Sequence, residues 1–235
     1  MNEFKENNYE IPEIREFQQS LETSAFSFEA LMNEVNTFLE NSIDFSGEVL
    51  DIKETINARE YGLRECADAA KEAFTPEIFA EWGSMSPEQR QQIVQDYSTA
   101  IGEGLNIDFK GVVFEPLIDQ MGALGYNSGD GYIHLDYSYI TDPSRIVGLV
   151  DTVAHEARHQ FQYEAIQNPE KFGIDQETIN EWTVGMSNYT EQYATVYDPW
   201  GYHYNPVEID ARYFGESLVR ELTKDLINNS INEYS

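Results

Sequence analysis

The stretch Val153-Ala154-His155-Glu156-Ala157-Arg158-His159-Gln160 decides how the rest of the chain is read. It lies in a run whose apolar residues recur at helical spacing: Ile146, Val147, Leu149, Val150, Val153, Ala154, Ala157 and Phe161. On a helix, residues four apart share a face, so the imidazoles of His155 and His159 can converge on one metal ion. Glu156, next to the first histidine, stands where a carboxylate can take a proton from a water beside that metal. A solvated helix with two histidines four apart would give the same short pattern. The breadth of the apolar face argues against that reading. A helix buried on most of its surface must find partners for its histidines, because an unpaired buried polar group costs about 1–3 kcal/mol. A metal supplies them.

A catalytic zinc takes three protein ligands and keeps a fourth position open. The best third ligand is Glu208, in the run Pro206-Val207-Glu208-Ile209-Asp210-Ala211-Arg212 that begins the last helix. A carboxylate in a first helical turn is favoured by the helix dipole. Ala211, one turn on, lets that helix approach the central one closely. Asp210 and His203 are the alternative ligands. Asp210 and Asp151 are both candidate acceptors for the second ring nitrogens, which metal-bound histidines require. Tyr202, His203 and Tyr204, just before Glu208, are candidate donors to a developing oxyanion, with His203 and Tyr204 placed in the catalytic set.

Working outward, Asp142-Pro143-Ser144 should open the central helix and Asn168-Pro169 should follow it. Upstream the chain changes period. Val112-Val113-Phe114 reads as a short strand. Ala123-Leu124-Gly125-Tyr126 and Tyr132-Ile133-His134-Leu135-Asp136 flank a Gly/Asn/Asp cluster and read as a hairpin. Ile133, Leu135 and Tyr137 share one face of the second run. The strand Tyr132–Asp136 is expected to pair with an extended substrate. Earlier still, Thr75-Pro76-Glu77 and Ser86-Pro87-Glu88-Gln89 are helix starts, the second a capping box that should run to Gly104.

Residues 13–74 read as helices. Phe28, Leu31, Val35, Phe38 and Leu39 form one stripe, and Val49, Ile52, Ile56 and Leu63 form another, in a run from about Glu48 to Phe74. Residues 166–205 are turn-rich and aromatic. A last helix should run from Pro206 to about Asn228, with Ile209, Tyr213, Leu218, Leu222 and Leu226 inside. The expectation is an α+β chain, with a helical N-terminal region at 1–75. A mostly helical unit at 76–235 carries a small antiparallel or mixed sheet packed on the central helix.

Composition narrows the function. With 41% apolar residues, 13 Phe, 15 Tyr and 3 Trp, a packed core is well supplied. Lys and Arg number 14 against 43 Asp and Glu, a net charge of −29. No basic cluster exists, so nucleic acid is excluded as a partner, and an anionic membrane surface would repel the chain. Cationic substrates fit the charge. Cys66 is the only cysteine, which excludes disulfides and a thiolate metal cage. It sits in an Ala-rich helical run, as a small buried apolar residue would. The start, Met1-Asn2-Glu3-Phe4-Lys5-Glu6, lacks the pattern of a cleaved leader, and no apolar run approaches membrane-spanning length. The expected location is cytoplasmic, or exported without a cleavable signal peptide.

HExxH followed by a glutamate in a Glu-x-x-Ala setting on a later helix resembles the gluzincin class of zincin metallopeptidases. A closer resemblance covers roughly residues 80–216. It is to bacterial HExRH-type metallopeptidase domains found as toxin or effector modules. The matching pieces are Trp82 with Ser86-Pro87-Glu88-Gln89-Arg90, Gly125-Tyr126 and Ile133-His134-Leu135. They continue through Thr152 to Gln162, Asn168-Pro169, Trp182 with Asn188-Tyr189, and Asn205 to Arg212. The resemblance implies a zincin-like fold and one catalytic zinc held by His155, His159 and Glu208. It makes Glu156 general base and then general acid, and it implies a protein or peptide substrate, with an inhibitor or delivery protein as further partner. Several gluzincins carry an aspartate four residues after the glutamate ligand; Arg212 stands there in this chain. Two other readings stay open. One is a helical interaction module with a structural or vestigial zinc site. The other is a zinc hydrolase of a non-peptide amide. An intact Glu156 favours catalysis, since structural zinc has no use for that acid.

Overall fold

In the computed structural model of the chain, residues 58–188 and 199–233 are described, with side chains as far as Lys224 except at 199 and 200. The stripes at Phe28–Leu39 and Val49–Ile56, and Tyr189, Tyr193 and Tyr197, lie outside the described residues, as does the side chain of Leu226. The described part is mostly helical, with a small mixed three-stranded sheet, which is an α+β arrangement.

Helix α1 (Leu63–Ala73) follows a turn at residues 60–62. Gly62 there has φ 71°, a left-handed conformation that side chains resist. The expected continuous helix from Glu48 to Phe74 is therefore interrupted at Gly62. Helix α2 (Pro76–Glu81) starts at Thr75, whose side chain accepts from Ile78 N, and a 3-10 turn, Trp82–Ser84, follows. Helix α3 (Pro87–Gly104) opens on the expected capping box: Ser86 N donates to Gln89 Oε1 at 2.8 Å, and Gln89 N donates to Ser86 Oγ at 3.3 Å.

The strands β1 (Gly111–Glu115), β2 (Gly125–Tyr126) and β3 (Tyr132–Asp136) come next, with helix α4 (Leu117–Met121) between β1 and β2. Sheet order is β1-β3-β2. β1 lies parallel to β3, with Gly111 opposite Tyr132 and Glu115 opposite Asp136; β2 lies antiparallel, with Tyr126 opposite His134. The hairpin read from the sequence is present, but β2 is shorter than the expected run from Ala123, and Leu124 is exposed. β3 is the central strand and both its edges are occupied. It cannot pair with an extended substrate. Of the two outer strands, β2 is the one that packs on the central helix. Val112, Phe114, Ile133 and Leu135 point into the core, whereas Tyr137, expected on the same face, is 48% exposed because the strand has already ended.

After helix α5 (Ser138–Thr141), Asp142 caps a 3-10 turn, Pro143–Arg145, by accepting from Ser144 N. This turn leads into the central helix α6 (Ile146–Gln167). Asn168-Pro169 stops it, since proline lacks the donor that would continue the helix. Helix α7 (Pro169–Phe172) and helix α8 (Gln176–Ser187, capped by Asp175) lead to helices α9 (Pro199–His203) and α10 (Pro206–Glu233).

Helix α6 is the axis of the core. It packs against α10 most extensively, and also against α3, α8 and the strands β2 and β3. Its inner residues Val150, Val153, Ala154, Ala157 and Phe161 are fully buried. Cys66 and Ala70 of α1, and Phe74 just after it, belong to the same core as these, across the expected division at 75/76. Cys66 is sealed, its Sγ donating to Ile101 O, and burial pushes its thiol up to about 12, so it is no nucleophile. On α10 the buried apolar residues are Val207, Ala211, Phe214, Leu218, Val219 and Leu222. Tyr213, expected inside, is instead 40% exposed, with Arg59 over its ring. The helix is turned so that two acidic residues, Glu208 and Asp210, face inward and Tyr213 faces out. No helix among the described residues is long and apolar enough to cross a membrane.

Candidate metal centre

The face of α6 that carries His155 and His159 looks onto the first turn of α10. That turn is fixed by Asn205, whose Oδ1 accepts from Val207 N at 3.2 Å and whose Nδ2 donates to Gly185 O on α8 at 3.0 Å. Pro206 at the first helical position lacks a donor that would go unused there. Glu208 is thus aimed at α6 by a capped helix start.

Donor atoms of His155, His159 and Glu208 all lie within 4.8 Å of one another. His155 Nε2 and His159 Nε2 are 3.1 Å apart; His155 Nε2 is 3.4 Å from Glu208 Oε2, and His159 Nε2 is 3.1 Å from Glu208 Oε1. Tetrahedral zinc with bonds of about 2.0–2.1 Å separates its ligand atoms by about 3.3 Å, so these spacings suit a zinc ion. Glu208 is fully buried, and neither carboxylate oxygen receives a well-directed hydrogen bond. Two orphaned oxygens on a buried acid, opposed by two imidazoles, form a donor set that a divalent cation would satisfy.

The charges show the same tension. Burial alone would raise the Glu208 carboxyl, yet His159 and His155 hold it well below the usual carboxylate range. Burial opposes a charge on His159, but Glu208 overrides it and pushes the ring up to about 9. Glu156 is buried beside this group. Desolvation raises its carboxyl and Glu208 raises it further, while the two imidazoles and the Asn127 N–H at the end of β2 pull it down.

The alternative ligands are not in the group. Asp210 is buried and accepts from Arg158 Nε at 2.8 Å, Arg158 Nη2 at 3.1 Å and Gln162 Nε2 at 2.7 Å. Arg158 is fully buried and spends its other donors on Tyr61 O at 3.1 Å and Ala58 O at 2.5 Å. Phe161, Trp182 and Phe214 surround its guanidinium. His203 lies at the end of α9, its carbonyl accepting from Arg212 and its ring edge-on to Tyr204. Tyr204 is 59% exposed. Arg212, standing where the resemblance calls for an aspartate, lies 3.5 Å from Glu208 Oε2 and links that ligand to the His203 carbonyl.

Two residues of the site went unassigned in the sequence. Gln162 receives His159: Nδ1 is 2.9 Å from Gln162 Oε1. The signal was its place three residues after His159, on the same helical face. Asn127 carries only turn signals in the sequence. Of the two candidate acceptors, Asp210 is reached through Gln162, while Asp151 packs against Gly215 with its Oδ1 sealed and unpartnered. Compared with protein-family models, curated proteins and solved structures, the chain finds no match in any of the three.

Proposed function

We propose that this chain is a zinc-dependent metallopeptidase of zincin-like fold, acting on a protein or peptide substrate as an effector-type module. The observation that carries the reading is the convergence of His155, His159 and an orphaned, buried Glu208 beside Glu156. A His₂Glu donor set with a neighbouring acid is the set used by catalytic zinc, with one position left for water. The helical body, the small sheet against α6 and the glutamate on a later helix are in keeping with a zincin-like arrangement.

Bound zinc supplies Lewis acidity and brings the pKa of water toward about 7. The remaining work belongs to the chain. Glu156 takes a proton from the attacking water and returns it to the leaving amine. Its raised affinity for protons, caused first by burial, suits both halves of that task. β2, an outer strand packed on α6, is the strand proposed to take the main chain of an extended substrate, with the Asn127 N–H just beyond it donating to Glu156. His203 and Tyr204, shortly before Glu208, are the donors proposed for the oxyanion, Tyr204 from an exposed position. A net charge of −29 favours cationic segments.

The test is zinc content by mass spectrometry, together with cleavage of a proteome-derived peptide library, for wild type and Glu156→Gln. One zinc in each is expected, with cleavage by wild type and a loss of about 10²–10⁴-fold in the variant. Wild type without zinc would sink the metal site. Zinc in both with no cleavage by either would leave an interaction module with a structural ion.

A further inference from the structure

Gln162 stands behind the metal-facing side of His159, and its amide can sit only one way round. Its Nε2 lies 3.0 Å from Val207 O and 2.7 Å from Asp210 Oδ2. Both are acceptors. Val207 O is a backbone carbonyl, and Asp210 is a carboxylate that already takes two hydrogen bonds from Arg158. Turning the amide over would set its oxygen against two other oxygens in a buried place, so Nε2 must face them. Oε1 is then left facing His159 Nδ1 at 2.9 Å. An amide oxygen only accepts, so Nδ1 must carry the proton. The lone pair of the neutral ring falls on Nε2, the atom that faces Glu208 Oε1 and His155 Nε2.

We propose that Gln162 is a positioning residue that sets the tautomer and ring angle of His159, so that Nε2 is presented to a zinc ion. The fixing point lies further back: Arg158 holds Asp210, Asp210 and Val207 orient the Gln162 amide, and the amide orients the imidazole. The group that meets Nδ1 is a neutral amide. A neutral amide fixes the proton without adding a fourth negative group beside Glu156, Glu208 and Asp210, all of which are buried. This inference rests on the zinc reading of the site.

The experiment compares zinc affinity, by competition with a chromophoric chelator, in wild type, Gln162→Leu and Gln162→Glu. Leucine keeps the volume and removes the acceptor, and affinity should fall about 10–100-fold, the usual effect of losing such a partner. Glutamate keeps an acceptor oxygen beside His159 Nδ1 and gives up the donation to Val207 O, so it restores the one contact that the proposal depends on. Affinity should therefore return to within a few-fold of wild type. A merely structural role for Gln162 would not be rescued in this way. In zinc-loaded wild type with ¹⁵N-labelled histidine, His159 should show a protected proton on Nδ1, and that proton should exchange faster in Gln162→Leu. Circular dichroism checks that each variant is folded. Equal affinity in wild type and Gln162→Leu, or a proton on Nε2 of zinc-loaded His159, overturns the role of Gln162 while leaving the metal site standing. Wild type that binds no zinc overturns both.

Discussion

Replacing Arg158 with methionine should be among the most damaging single changes in the chain. The substitution keeps much of the stem, and with it contact to Phe161 and Phe214, but removes a guanidinium that makes four hydrogen bonds. Asp210, 3% exposed, is left with Gln162 as its remaining donor from that group. Breaking a buried pair by removing one partner costs about 3–5 kcal/mol, because the other charge stays buried. The carbonyls of Ala58 and Tyr61 lose donors as well, which places the expected loss at the upper end. The sharper test is a change of sign. Asp210→Asn should destabilise the wild type, where it leaves Arg158 without its counter-charge. It should stabilise the Arg158→Met background by about 1–3 kcal/mol, where it removes an uncompensated carboxylate. Urea denaturation with a chelator present gives all four free energies, free of any contribution from metal binding. If Asp210→Asn costs the same in both backgrounds, the account of a paired, desolvated Asp210 is wrong.

Other consequences follow from the same packing. Burial, with Glu216 and Glu156 nearby and against the pull of His155, raises the Asp151 carboxyl from its ordinary 3.8 to about 7. A raised acid contributes stability in full below pH about 3.8 and loses it as pH rises to about 7, so Asp151→Asn should be more stable than wild type at pH 8, by at most on the order of 4 kcal/mol. The advantage should vanish near pH 4 in metal-free thermal melts; a gap independent of pH would contradict it. At Gly215 a Cβ would lie 2.4 Å from Asp151 Oδ1 and 3.0 Å from Asp151 O. Gly215→Ala should therefore cost about 1–3 kcal/mol by forcing α6 and α10 apart, and less in an Asp151→Ala background. Ser86→Ala should cost about 1 kcal/mol through loss of the capping box on α3, with zinc content unchanged; a change in zinc content would show that α3 reaches the metal centre.

Much of this architecture was legible in the residues. The helix starts at Thr75 and Ser86 are legible because their signals are local: a side-chain oxygen and a backbone donor three residues apart. The two histidines follow from helical spacing, and Glu208 from the need of a zinc set for a third ligand on a later helix. What failed was long-range. The inner face of α10 was assigned from apolar residues alone, which placed Tyr213 inside. The helix turns its acids inward because Arg158, Gln162 and the two histidines wait for them on α6. The order of the strands was equally hidden. A hairpin fixes that β2 pairs with β3, but nothing local says that β1 takes the other side of β3 and leaves β2 as the edge. Gln162 had a recognisable position but no recognisable role until Val207 and Asp210 were placed around its amide.

The hydrogen bonds of Arg158 also bear on the order in which this chain can fold. Its partners are 100 residues away at Ala58, 97 at Tyr61 and 52 at Asp210. Helix α6 can wind early from its own sequence, but its buried cation is satisfied only after both distant stretches have closed on it, and closures of that span slow folding. A chain trimmed to begin at 76, where the sequence suggests a boundary, would wind the same helix and then carry two unused guanidinium donors into its core. Such a chain should collapse readily and finish slowly. Residues 58–61 thus act as a distant fastener of the helix that bears His155 and His159.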